Sequence, residues 1–175
     1  TQKVHLLIID DGLEDYSHIH PKALKEPGLY EFEWNPKKQA NYRIWADLFP
    51  LGNNAQEYAI ADLVSDKGKA SKINRNISME STLDGYNFKL SFDNEDIIAG
   101  KPVMGKIIVT DAKGNSVKNL EPIMGAFAHI VGFSDDMKTV VHIHPMGKEP
   151  SKSTDKGGPK LEFHIEPSKA GFIKL

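Results

Sequence analysis

The chain of 175 residues contains no cysteine. It therefore has no thiolate nucleophile and no CxxC redox pair, and zinc sites built on cysteine are excluded. Because disulfide-free proteins occur in the cytosol and in the periplasm, this absence leaves the compartment open. An excess of positive charge is also missing, since the formal net charge is -2 with neutral histidines. No basic stripe is available for phosphate groups, so we expect no nucleic-acid partner.

Long apolar runs are absent as well. One of the longest, Val4–Ile9, is far shorter than the roughly 20 apolar residues that a membrane-spanning helix needs. We therefore expect no transmembrane segment in this chain. The content of 39% hydrophobic and 26% charged residues is typical of a folded globular protein.

Both ends of the chain resemble strands. At the start of the chain, Thr1–Lys3 leads directly into an apolar run. At its end, the chain stops within another such run, Phe172–Leu175. This predicts a piece of a longer protein, from which a targeting or membrane-anchoring segment and the first strands of the fold are missing.

A histidine-containing unit occurs twice, at an offset of 124 residues. In each copy an apolar run carries one histidine, and a His-x-His-Pro motif begins 13 residues later. The two copies hold six of the seven histidines of the chain. We call His5, His18 and His20 the first cluster, and His129, His142 and His144 the second cluster. Such regular spacing predicts a duplicated structural unit in which the histidines are the best functional candidates.

The pattern between the histidines predicts strands. Short apolar or alternating runs are bounded by Gly, Pro, Asn and Asp, and no stretch keeps a 3.6-residue period for three turns. We expect an all-β chain of two tandem β-sandwich units, 1–64 (incomplete) and 86–175, joined by a linker or connecting strand at 65–85. The predicted strands include Leu29–Trp34, Tyr42–Leu48, Glu57–Leu63, Tyr86–Phe92, Val103–Thr110 and Leu161–Ile165.

Strand geometry allows the histidines to converge. If the second hairpin closes with the four-residue loop Asp135–Lys138, His129 lies directly opposite His144, and His142 lies diagonally on the same face. A change of register by one residue would place His129 on the other face. Three neutral imidazoles suit Cu(II), Zn(II) or Ni(II). The alternative is that the histidines are structural, since a duplicated fold also duplicates its structural residues.

Three further residues are weaker candidates for metal ligands. Met124 and Met146 lie near the second cluster in sequence, and a thioether would favour Cu(I). His164 alternates with Leu161, Phe163 and Ile165 and is predicted to face solvent. No carboxylate pair, nucleophile elbow or glycine-rich phosphate loop is present, so we predict no catalytic site and no enzyme.

Several motifs resemble bacterial secreted or membrane-anchored proteins with YtkA-like domains. These are Val4–Leu7 with His18–Pro21, Tyr42–Asp47 with Gln56–Tyr58, Gly125–His129, and His142–Pro145 with Gly157–Pro159. The resemblance implies immunoglobulin-like or cupredoxin-like sandwiches on the outer side of the inner membrane, and a link to copper or heavy-metal handling. It implies no known reaction.

From these observations we predict a periplasmic or secreted metal-binding module in metal storage, delivery or sensing. Copper is the favoured metal and zinc the second choice, and another envelope protein is a possible partner. The alternative is a non-catalytic structural or protein-interaction pair of β-sandwiches.

Overall fold

The computed structural model describes residues 4–50, 52, 55–66, 71–143, 145–147 and 149–175. Within these ranges the fold is all-β, with no helix, as the sequence predicts. Accordingly, no described helix has the length and apolar character for crossing a membrane. The strands are β1 (Val4–Asp10), β2 (Tyr16–Ile19), β3 (Lys22–Ala23), β4 (Tyr30–Glu31), β5 (Tyr42–Leu48), β6 (Glu57–Leu63), β7 (Glu80–Leu83), β8 (Tyr86–Phe92), β9 (Val103–Asp111), β10 (Ile130–Ser134), β11 (Val140–Ile143), β12 (Lys160–Ile165) and β13 (Ile173–Lys174).

The chain divides into two compact units. The first comprises Thr1–Asn74 with Asp135–Lys138, and the second comprises Arg75–Ser134 with Thr139–Leu175. The change of unit between residues 74 and 75 lies inside the segment 65–85 that we assigned to a connection.

The first unit is built on a four-stranded antiparallel sheet in the order β2-β1-β5-β6, beside a small β3-β4 ribbon. Alternation along β1 directs Leu6 and Ile8 to one face, where they pack with Tyr42 and Ile44 of β5. Burying each large apolar side chain contributes about 1.5–3 kcal/mol. Because His5 is one residue out of phase with Leu6, it lies on the opposite face of the sheet.

The second unit contains two sheets, with strand orders β11-β10-β13 and β12-β9-β8-β7. Its core joins side chains from both sheets, among them Ile130 of β10 and Phe163 and Ile165 of β12. A Cβ at Gly105 would lie 2.5 Å from the tip of the Phe163 ring, so this glycine makes room for the ring against β9. This unit is the β-sandwich that the strand pattern predicts.

Most of the predicted strands are confirmed, several with the same bounds, such as Tyr42–Leu48 and Glu57–Leu63. The prediction of a strand over Leu29–Trp34 is wrong in extent, since only Tyr30–Glu31 forms a ladder. Most of that run is exposed, so it has no buried face that would extend the pairing. The strand Glu80–Leu83 lies in the segment 65–85, which the sequence predicts as a linker or a connecting strand, and it forms the edge next to β8.

Candidate metal centre

Each histidine cluster belongs to a β-hairpin. The first hairpin joins β1 to β2, with the loop residues 11–14 between the hydrogen-bonded pair Asp10 and Asp15. The second joins β10 to β11, with residues 135–138 between Ser134 and Thr139. Both loops have a non-glycine residue with positive φ at their third position, Leu13 at 58° and Met137 at 57°. The four-residue loop predicted for the second hairpin is confirmed, because Ser134 N–H donates to the carbonyl of Thr139 at 3.0 Å.

The two hairpins have the same register. Leu7 pairs with His18 in the first hairpin, and Val131 pairs with His142 in the second, which preserves the offset of 124 residues on both strands. The first ladder ends at Leu6 and Ile19, and continuing it by one residue places His20 opposite His5. The predicted partner of His129 is His144, which lies outside the described residues, so that pairing stays a prediction.

In the first cluster, two imidazoles point at one nitrogen of the third. Nε2 of His18 lies 3.0 Å from Nδ1 of His5, and Nε2 of His20 lies 3.2 Å from the same atom. The ring centroids are 4.4 to 5.5 Å apart. Tetrahedral ligands at the usual Zn–N bond length of 2.0–2.1 Å are separated by about 3.3 Å. The spacing around His5 therefore suits nitrogens that share one metal ion, and it equally suits N–H···N hydrogen bonds.

The second cluster repeats the contact between its first two members. Nδ1 of His129 lies 3.0 Å from Nε2 of His142, and the two rings stack with centroids 5.3 Å apart. The other ring nitrogen of His129, Nε2, lies 3.1 Å from the backbone carbonyl of Ile123. In both units the nitrogen offered by the first histidine is therefore Nδ1, and the nitrogen offered by the histidine of the opposite strand is Nε2.

The described histidines of both clusters are half-buried. Partial burial removes some water from the rings while leaving them within reach of an ion from solution. The rings are thus neither core side chains nor fully solvated ones.

A buried carboxylate accompanies the first cluster. Asp47 of β5 pairs directly with His5 across the sheet, so the two side chains lie on the same face. Its Oδ1 accepts a hydrogen bond of 2.8 Å from Nε2 of Gln56, which also lies 3.0 Å from the Tyr58 hydroxyl. A negative charge at this place favours a cation among the neighbouring imidazoles. The sequence pattern does not connect Asp47 to the histidines, since only the strand register brings them together.

The weaker candidates lie in different surroundings. His164 is exposed on β12, with its neighbours Leu161, Phe163 and Ile165 buried, so the prediction that it faces solvent is confirmed. Met146 is exposed and lines a cleft of about 360 Å³ in the second unit. Met124 is half-buried in a tight turn directly after Ile123.

The chain belongs to a family defined by a domain of unknown function, DUF8832, whose model matches residues 2–61 and 81–175. No match is found among curated proteins or among solved structures. The matched ranges include all the histidines of both clusters.

Proposed function

We propose that the protein is a metal-binding module, with copper as the favoured metal, that acts in metal storage, delivery or sensing. The observation that carries this proposal is the pair of Nε2 atoms, from His18 and His20, within 3.2 Å of Nδ1 of His5. The proposed location, in the periplasm or outside the cell, depends on the resemblance to YtkA-like proteins.

Copper is favoured over zinc for two reasons. Imidazole sites generally hold Cu(II) more tightly than Zn(II), following the Irving–Williams order. Asp47 adds negative charge beside His5, which stabilises a bound divalent ion of either metal, so the preference for copper rests on the first reason and on the resemblance to YtkA-like proteins. The half-buried rings would leave a bound ion accessible to a second envelope protein, which suits delivery.

The proposal is tested by titrating the metal-free protein with Cu(II) and Zn(II) in competition with a chelator of known affinity. We expect two equivalents of Cu(II). The double variant His18→Ala/His20→Ala should lose one of them, and His129→Ala/His142→Ala should lose the other. Each double variant should weaken the affinity of the affected site for Cu(II) at least about 100-fold, because it removes two ligands that together contribute at least about 3 kcal/mol.

His164→Ala is the matched control, since it removes an imidazole that is exposed on a different strand. It should leave both equivalents unchanged. Loss of an equivalent in this control, or no binding tighter than about millimolar by a wild type that is folded by circular dichroism, would overturn the proposal.

A second candidate is that the histidines are structural, in a non-catalytic β-sandwich pair that binds other proteins. The contact between His129 and the Ile123 carbonyl favours it, because a purely structural histidine makes the same bond. In that case the double variants would lower the stability of the metal-free protein, and metal would not raise the stability of the wild type. If metal does bind, a metal concentration of 100 times the Kd should raise the free energy of unfolding of the wild type by about 2.7 kcal/mol.

A further inference from the structure

We infer that the turn Ile123–Ala126 fixes which nitrogen of His129 is unprotonated and offers its lone pair to a metal, and that His142 is the ring that must move its proton when metal binds. This inference rests on the proposed function, but its first half concerns the metal-free protein and can be tested without metal.

The carbonyl of Ile123 determines the protonation of the His129 ring. A carbonyl oxygen only accepts hydrogen bonds, so the 3.1 Å contact requires a proton on Nε2 of His129. A neutral imidazole carries one proton, and Nδ1 therefore keeps its lone pair. Histidines that bind metals commonly donate their second ring N–H to a carbonyl in this way, which fixes the tautomer and the orientation of the ring.

The carbonyl is itself held in a tight turn. Ile123 and Ala126 exchange both backbone hydrogen bonds, at 2.9 and 3.1 Å. The two residues between them have positive φ, 50° at Met124 and 84° at Gly125, as in a type I′ turn. The Ile123 oxygen accepts from Ala126 N–H and from His129 together, which uses both of its lone pairs.

The proton between the two rings then belongs to His142. Because Nδ1 of His129 has a lone pair, the 3.0 Å contact requires Nε2 of His142 to be the donor in the metal-free state. Metal binding through Nε2 of His142 requires that proton to leave. The neutral ring releases it from Nε2 to water and takes another on Nδ1, so no net proton is released. His129 needs no such change.

This assignment is tested by long-range ¹H–¹⁵N spectra of the full chain with ¹⁵N-labelled histidine, recorded without metal and with diamagnetic Zn(II). In the metal-free protein we expect His129 to be protonated at Nε2 and unprotonated at Nδ1. On zinc binding His129 should keep that tautomer, and His142 should change from Nε2–H to Nδ1–H. A proton on Nδ1 of His129 without metal, or binding through its Nε2, would overturn the inference.

Two substitutions of Gly125 test the role of the turn. No atom lies within 4 Å of a Cβ built at this glycine, so a side chain there acts through its φ and not through a clash. Asparagine tolerates a positive φ, whereas a β-branched residue does not. Gly125→Val should mix the two His129 tautomers and weaken zinc binding in the second unit about 10- to 100-fold. Gly125→Asn should keep the wild-type tautomer and affinity.

The outcomes separate this inference from the proposed function. If zinc does not bind but His129 shows the expected tautomer, the metal proposal fails while the role of the turn stands. If zinc binds and Gly125→Val changes neither the tautomer nor the affinity, the role of the turn is refuted while metal binding stands.

Discussion

The loops of the two hairpins have the same length and a positive φ at the same position, and they differ in the side chains that hold them. In the first hairpin, fully buried Asp10 accepts hydrogen bonds from the backbone N–H groups of Glu14 and Asp15, at 2.6 and 2.8 Å. In the second, the Ser134 hydroxyl accepts from Thr139 N–H at 2.9 Å. The loop geometry thus requires an acceptor at this position, and either a carboxylate or a hydroxyl can supply it.

A second carboxylate of the first hairpin, Asp15, accepts further hydrogen bonds. Asp15 accepts a 2.6 Å hydrogen bond from the Tyr42 hydroxyl and another from Lys37 N–H. Burial and the hydrogen bond to Asp15 raise the pKa of Tyr42 to about 12. Tyr42 pairs with Asp10 across the sheet of the first unit. In the second hairpin the residue paired with Ser134 is Ile173, which has no hydroxyl group. The first hairpin is therefore held by buried carboxylates, whereas the second is held by the Ser134 hydroxyl and by an exposed carboxylate, Asp136, which accepts from Lys138 N–H at 3.0 Å.

The two hairpins should differ most in how much the free energy of unfolding changes when the residue with positive φ is replaced by glycine. Leu13 is buried, so Leu13→Gly should lower the free energy of unfolding by about 3 kcal/mol through lost burial, despite relief at φ. Met137→Gly should change it by less than about 1 kcal/mol, because relief at φ offsets the greater freedom of the unfolded chain. Urea unfolding followed by circular dichroism measures both variants. Equal effects would show that the backbone, and not burial, determines the cost.

A smaller difference in the free energy of unfolding is expected when the hydrogen-bond acceptor of each loop, Asp10 or Ser134, is replaced by alanine. Asp10→Ala removes the acceptor of two N–H groups, one buried and one part-buried, and should cost about 2 kcal/mol, whereas Ser134→Ala affects one part-buried N–H group and should cost about 1 kcal/mol. Both tryptophans of the chain, Trp34 and Trp45, lie in the first unit, so fluorescence follows that unit. Tryptophan fluorescence should thus detect Asp10→Ala. A larger cost at Ser134 would reverse the comparison.

The smallest predicted difference is in the response to acid. Burial opposes ionisation of Asp10, but the N–H groups of Asp15 and Glu14 and the charge of Lys38 outweigh it, so its pKa is lowered from 3.8. The folded-state pKa is then below that of the unfolded chain, and the stabilisation is present above about pH 4. It is lost as the pH falls through the folded-state pKa.

The urea midpoint from tryptophan fluorescence should therefore fall more steeply from about pH 5 to about pH 3 in the wild type than in Asp10→Asn. Asp10→Asn removes the titrating group and leaves the other carboxylates of the unit in place. Parallel curves for the two proteins would contradict the assignment of this pH dependence to Asp10.

Much of this fold could be predicted because the local signals are strong. Alternation and turn residues placed Tyr42–Leu48 and Glu57–Leu63, and the constant offset of 124 residues predicted two hairpins of equal register. The bounds of Glu80–Leu83, inside the predicted linker or connecting strand, could not be predicted because all residues of this edge strand are exposed, and such a strand has no buried face to produce a pattern.

The surroundings of the site were less predictable than its histidines. Asp47 meets His5 only through the pairing of β1 with β5, which depends on contacts distant in sequence. The hydrogen bond from His129 to Ile123 depends on a turn with positive φ at Met124. Methionine rarely adopts a positive φ, so the sequence does not predict this turn.

The central claim is that imidazoles of the first cluster bind metal. Its most direct test is X-ray absorption at the copper edge for one equivalent of Cu(II) bound to His129→Ala/His142→Ala protein. We predict nitrogen ligands at about 2.0 Å with the multiple scattering of imidazole rings, lost on adding His18→Ala/His20→Ala and kept on adding His164→Ala. A spectrum without imidazole scattering, or one unchanged when His18 and His20 are removed, would contradict the account.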